Sequence, residues 1–100
     1  MTDLEHVIRD LAAGTLNKHC LDYLNNSKLS TFETGLILGI IIGVEDDASY
    51  DKKISIPSTV STIERIQIIS NYIQKNPKRQ LESFASLAFD AMIEQWPYPH

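Results

Sequence analysis

From Thr31 to Val44 the chain reads TFETGLILGIIIGV, and every position from Leu36 to Val44 other than Gly39 and Gly43 is a leucine, isoleucine or valine. Read as a helix, the stretch sets Gly35, Gly39 and Gly43 four residues apart on one smooth stripe, with large aliphatic side chains over most of the remaining surface. This predicts a buried central helix on which another backbone lies closely, with Phe32 as a packing anchor near its start. The apolar run is far shorter than the roughly 20 residues that a membrane span requires.

The flanking segments are amphipathic. Thr2 with Glu5 has the spacing of a capping box, in which a hydroxyl takes the amide three residues on and the carboxylate reaches back. It opens a first helix with Leu4, Val7, Ile8 and Leu11 on one face. Gly14 and Thr15 end or bend this helix, and the pattern resumes at Leu16, Cys20, Tyr23 and Leu24 before the turn-prone Asn25-Asn26-Ser27. Ser30 with Glu33 repeats the capping-box spacing ahead of the glycine helix. After Val44 the acidic Glu45-Asp46-Asp47 opposes a helix macrodipole, so residues 46–59 are expected to form one ordered loop in which Pro57 keeps Ile56 extended. Ser61 with Glu64 caps a further helix whose apolar face is Ile63, Ile66, Ile69, Tyr72 and Ile73. Asn76-Pro77 then reads as a cap and first position of a last helix, lined by Leu81, Phe84, Leu87, Ala88, Met92 and Trp96 and ended by Pro97 and Pro99. The expectation is one all-α domain, residues 1–100, a small bundle of four to five helices around the Gly-xxx-Gly-xxx-Gly helix.

Composition narrows the function classes. A formal charge of −4 argues against direct nucleic-acid or anionic-membrane binding, both of which call for a basic surface. One cysteine, Cys20, forbids an intramolecular disulfide, and the N-terminal residues lack the basic and apolar regions of a secretory signal, so a cytoplasmic location is expected. No catalytic set is legible. His19 and Cys20 are helix neighbours that point about 100 degrees apart and lack an accompanying acid, so Cys20 is read as a core thiol. His6, His19 and His100 lack metal-ligand spacing, and Glu45, Asp46, Asp47 and Asp51 lack the glycine and alternating oxygens of a calcium loop, so neither metal nor cofactor is implied. Lys75, Lys78 and Arg79 at the start of the last helix could hold an anion, but Glu82 beside them favours ordinary surface pairing. The strongest candidate contact surface is Glu45, Asp46, Asp47, Tyr50 and Asp51, where an aromatic anchor stands among charges suited to a basic partner.

Five features in order carry a family resemblance: Leu16 to Cys20, Gly39 to Val44 with Asp46, Ile56-Pro57, Tyr72 to Asn76-Pro77, and Trp96-Pro97. From Leu16 to Pro97 the chain resembles the Tai/Rap group of type VI secretion amidase immunity proteins. The resemblance implies a small all-helical protein, often dimeric, that neutralises an effector enzyme by occupying its active-site cleft. Members of that group are usually exported and carry several cysteines. Here Ile37 and Ser55 stand at positions aligned with later family cysteines, which fits a relative retained in the cytoplasm or one from which a leader has been removed. The leading expectation is therefore a non-enzymatic, immunity-type inhibitor acting as a homodimer. The alternative is a phage- or defence-related inhibitor of a nucleic-acid-processing complex, whose acidic surface imitates a phosphate backbone.

Overall fold

The structure is a computed structural model and describes residues 11–28 and 30–99. Among these residues there are four α-helices: α1 (Ala13–Asn25), α2 (Phe32–Tyr50), α3 (Thr62–Lys75) and α4 (Phe84–Gln95), with a 3-10 turn at Pro77–Arg79 between the last two. The all-α expectation holds. The helix expected to begin at Thr2 lies outside the described residues.

Helix α1 starts without a side-chain cap. Its free amides are satisfied from a distance instead: Ala13 N–H donates to the Glu82 carbonyl at 2.7 Å and Gly14 N–H to the Gln80 carbonyl at 2.9 Å, while Phe84 N–H returns to the Leu11 carbonyl at 2.9 Å. The turn before α4 thus does the work of a cap. Gly14 therefore lies in the first turn of α1 and neither ends nor bends a helix.

The cap of α2 is displaced by one residue from the sequence expectation. Thr31 and Thr34, not Ser30 and Glu33, form the capping box, with Thr34 N–H donating to Thr31 Oγ1 at 3.1 Å and Thr31 N–H to Thr34 Oγ1 at 3.0 Å. The helix also runs six residues past Val44. Burial of Ala48 holds this last part against the core. A Schellman closure then ends it, in which Lys53 N–H donates to the Ala48 carbonyl at 2.9 Å and Lys52 N–H to the Ser49 carbonyl at 3.1 Å. Lys52 takes the left-handed position of that closure, φ 56°, where glycine is usual. Residues 46–50, expected as loop, are therefore helical.

Helix α3 begins as the sequence suggests. Glu64 N–H donates to Ser61 Oγ at 3.1 Å and Ser61 N–H to Glu64 Oε1 at 3.4 Å. Ile66, Ile69 and Ile73 are buried, whereas Ile63 faces solvent. Pro77 opens only the short 3-10 turn, and α4 starts seven residues later at Phe84, capped by Ser83, whose Oγ accepts from Ser86 N–H at 3.1 Å. Leu81 consequently sits in the turn and is 87% exposed, outside the apolar side it was assigned to.

Helices α1, α3 and α4 pack on one another, and α2 packs on α1 and α4. The interior is built from Leu16, Ile37, Ile54, Ile66, Ile69, Ile73, Phe84, Leu87 and Met92, all essentially inaccessible. Burial of each large aliphatic or aromatic side chain contributes about 1.5 to 3 kcal/mol. One polar contact crosses this core: Ser70 Oγ donates to Asn17 Oδ1 at 2.7 Å, joining α3 to α1.

The central-helix expectation is corrected. Thr34, Ile37, Ile41 and Ala48 turn inward from α2, and the glycine stripe lies on the opposite side. Among the described residues, a methyl group built at Gly35, Gly39 or Gly43 would meet nothing within 4 Å. Phe32, read as a packing anchor, is 80% exposed. The helix is apolar nearly all round, and among the described residues it is covered on one side only.

Candidate functional site

The acidic end of α2 is built by its extension past Val44. Because the backbone stays helical, Asp46, Asp47 and Tyr50 project as side chains of the last turns, and Asp51 follows as the C-cap. All four are exposed, Tyr50 at 87%. Glu45 is oriented differently. Its carboxylate accepts from Arg65 Nε at 3.0 Å and Arg65 Nη2 at 3.1 Å, and Arg65 Nη1 also donates to the Val60 carbonyl. Glu45 thereby ties α2 to the start of α3, while the other four residues face outward.

Asp47 also forms one rim of an open groove of 430 Å³ between α2 and α4, with Glu82, Asp90, Arg79 and Phe89 on the other side. Arg79 is fully engaged within it. Its Nε and Nη2 donate to Glu82 at 2.8 and 2.9 Å, Nη2 also donates to Asp90 at 2.7 Å, and Nη1 donates to the Tyr72 hydroxyl at 2.9 Å. Hydrogen bonds from Arg79 hold the Glu82 carboxyl below its ordinary range, and the two carboxylates in turn keep the guanidinium protonated. Three carboxylates against one committed cation leave the groove acidic. Lys53 folds over the Phe89 ring, 5.8 Å from its centroid.

Sequence reasoning did not assign Glu82, Asp90 and Phe89 to a site. The available signal was the spacing Glu82, Ser86, Asp90, four residues apart, which marks one polar face along the last helix. The pairing of Arg79 with Glu82 was legible and is present, so Arg79 is not available to the anion site considered for Lys75 and Lys78.

The remaining candidates are structural. Cys20 is buried, and burial pushes its thiol up to about 12, which makes it a poor nucleophile. Asn76 Nδ2 donates to the Tyr72 carbonyl at 2.7 Å and closes α3, and the Trp96 carbonyl accepts from Ser55 N–H at 2.9 Å. Tyr98 N–H donates to the Lys53 carbonyl at 3.2 Å, so the loop after α2 is clasped by the tail around buried Ile54. Among the described residues, no helix is long and apolar enough to cross a membrane, and no three His, Cys, Asp or Glu side chains are grouped to hold a metal ion. No model of a known protein family matches the sequence, and no characterised protein or solved structure is detectably similar to it.

Proposed function

We propose that this chain is a non-enzymatic binding protein of the immunity type, which neutralises an effector or toxin enzyme by direct complex formation. The observation that carries this reading is the projection of Tyr50 with Asp46, Asp47 and Asp51 at the end of α2, beside the acidic groove of Glu82 and Asp90. An exposed aromatic ring among carboxylates supplies both an anchor and a field that attracts a basic surface, such as the rim of an active-site cleft. The resemblance to the Tai/Rap immunity proteins supports the same reading. Its residues here include a core thiol, a helix-closing asparagine and the tail contact at Trp96, so it bears on the scaffold, while the identity of the target rests on the exposed acidic end.

Affinity capture from the cells that encode the chain tests this reading. Wild type is expected to retain one enzyme and to inhibit it stoichiometrically. The variant Asp46→Asn/Asp47→Asn/Tyr50→Ala, folded as judged by its thermal melt, is expected to lose at least about 2 kcal/mol of affinity, as hot-spot truncations do. Undiminished capture by the variant would overturn the assignment of the surface, and absence of any inhibited enzyme would overturn the function. Capture of a nucleoprotein complex with steep salt dependence would favour the phosphate-mimic alternative.

A further inference from the structure

We propose that the C-terminal segment Trp96-Pro97-Tyr98 is a strap that keeps the end of α2 helical, so that its release takes the target surface apart. The last turns of α2 are poorly provided for by their own residues. Asp46, Asp47 and the Asp51 cap lie against the helix dipole, and α2 has no basic residue in its last turn to offset them. The closure that follows puts Lys52 at φ 56°, a left-handed conformation that a side chain disfavours. Yet the helix runs on to Tyr50.

Lys53 is the residue through which the tail makes up for this. Its N–H closes α2 on the Ala48 carbonyl at 2.9 Å, and its own carbonyl accepts from Tyr98 N–H at 3.2 Å. Ser55 N–H donates to the Trp96 carbonyl at 2.9 Å, so the tail grips the chain on both sides of Ile54, which bridges to Pro97 and is 2% exposed. Trp96 follows directly on α4 and packs against the core, which anchors the strap. With Lys53 and Ile54 held, Lys52 is confined to its left-handed position and the helix end is closed. Once the tail is released, Lys52 regains its ordinary backbone region and the Ala48 carbonyl loses its donor. The turn that carries Asp47 and Tyr50 then unwinds, while the core around Ile69 and Phe84 stays packed. The consequence for binding rests on the target surface proposed above: a target that needs the helical turn holds the tail down in return.

Hydrogen exchange of the full chain reads this coupling without any target. Tyr98→Pro removes the amide that donates to Lys53, and Tyr98→Ala keeps it. In Tyr98→Pro the amides of Asp51, Lys53 and Ser55 are expected to exchange about tenfold faster, the scale of one lost backbone hydrogen bond, with the amides of Ile69 and Ile73 unchanged. Tyr98→Ala is expected to change them much less. Lys52→Gly removes the left-handed cost and is expected to restore slow exchange at Asp51 and Lys53 in the Tyr98→Pro chain. A chain that ends at Pro97 lacks the same donor and is expected to repeat the Tyr98→Pro pattern. Unchanged exchange at Asp51 and Lys53 in both tail variants would overturn the strap. So would equal acceleration at Ile69 and Ile73, an equal effect of Tyr98→Ala, or failure of Lys52→Gly to rescue. Where wild type captures an enzyme, Tyr98→Pro is expected to bind it about tenfold more weakly, and faster exchange with undiminished binding would overturn the link to the target surface. Wild type that captures no enzyme overturns the function proposed above, and the exchange result then decides the strap by itself.

Discussion

Of the four glycines in the sequence, Gly14 is the one with a close neighbour among the described residues. A methyl group placed there would lie 2.8 Å from Gln80 Oε1 and 3.3 Å from the Gln80 carbonyl oxygen. The Gln80 side chain cannot easily give way, because its amide donates to the Ile73 carbonyl at 2.9 Å. Gly14→Ala is therefore expected to lower stability by about 1 to 3 kcal/mol, the usual cost of overpacking, as a reduced urea midpoint with an unchanged slope. The glycines of α2 drew attention in the sequence because they are periodic, and Gly14 did not because it is single. Periodicity identifies which residues share a face. It does not say which way that face points when the opposite side is equally apolar, and Ile37 and Ile41 were free to take the core in place of the stripe. Small shifts at caps have the same origin: Thr31 and Thr34 offer two hydroxyls where Ser30 and Glu33 offer one hydroxyl and a carboxylate, and sequence spacing alone does not rank them.

At the scale of elements, an ion pair ties α2 to α3. Arg65 bridges the Glu45 carboxylate and the Val60 carbonyl, both side chains of the ion pair being mostly covered. Hydrogen bonds to charged groups contribute more than neutral ones, so Arg65→Ala is expected to cost about 1 to 3 kcal/mol in chemical denaturation. Loss of binding without loss of stability in that variant would instead assign Glu45 to the partner surface. The caps explain why the start of α3 was legible and that of α4 was not. Ser61 and Glu64 occupy the positions their sequence spacing indicates. Asn76-Pro77 also has the form of a helix start, but Gln80 and Glu82 lend their carbonyls to α1, and those long-range bonds hold the segment in a turn until Ser83. The same cause left the acidic groove unseen, because Asp47 meets Glu82 and Asp90 only when α2 continues past Val44 and α4 begins late.

For the whole molecule, two perturbed groups set opposite limbs of the pH dependence. Glu82 has a lower pKa folded than unfolded, so its contribution is complete above the ordinary carboxylate value of 4.5 and is lost as pH falls through the folded value. The group is exposed, and the acid limb it adds is correspondingly shallow. Cys20 runs the other way. Its thiol is raised from 9.0 to about 12, so stability is complete below pH 9 and declines as the unfolded chain ionises and the folded one does not. Over that interval the linkage amounts to at most about 4 kcal/mol. Thermal melts between pH 8 and about 11 should show a steeper decline for wild type than for Cys20→Ala, and parallel declines would show that the thiol is not what sets the alkaline limb.

The open side of α2 has a further consequence for how the molecule breathes. Three glycines remove about 3 kcal/mol of intrinsic helix stability relative to alanine, and among the described residues packing compensates on one side of the helix alone. Local opening draws on the element with the fewest buried contacts per residue, so α2 is the segment that opens while α1, α3 and α4 stay docked around Ile69 and Phe84. Its midpoint, around Gly39, is then the place where backbone amides reach solvent without global unfolding.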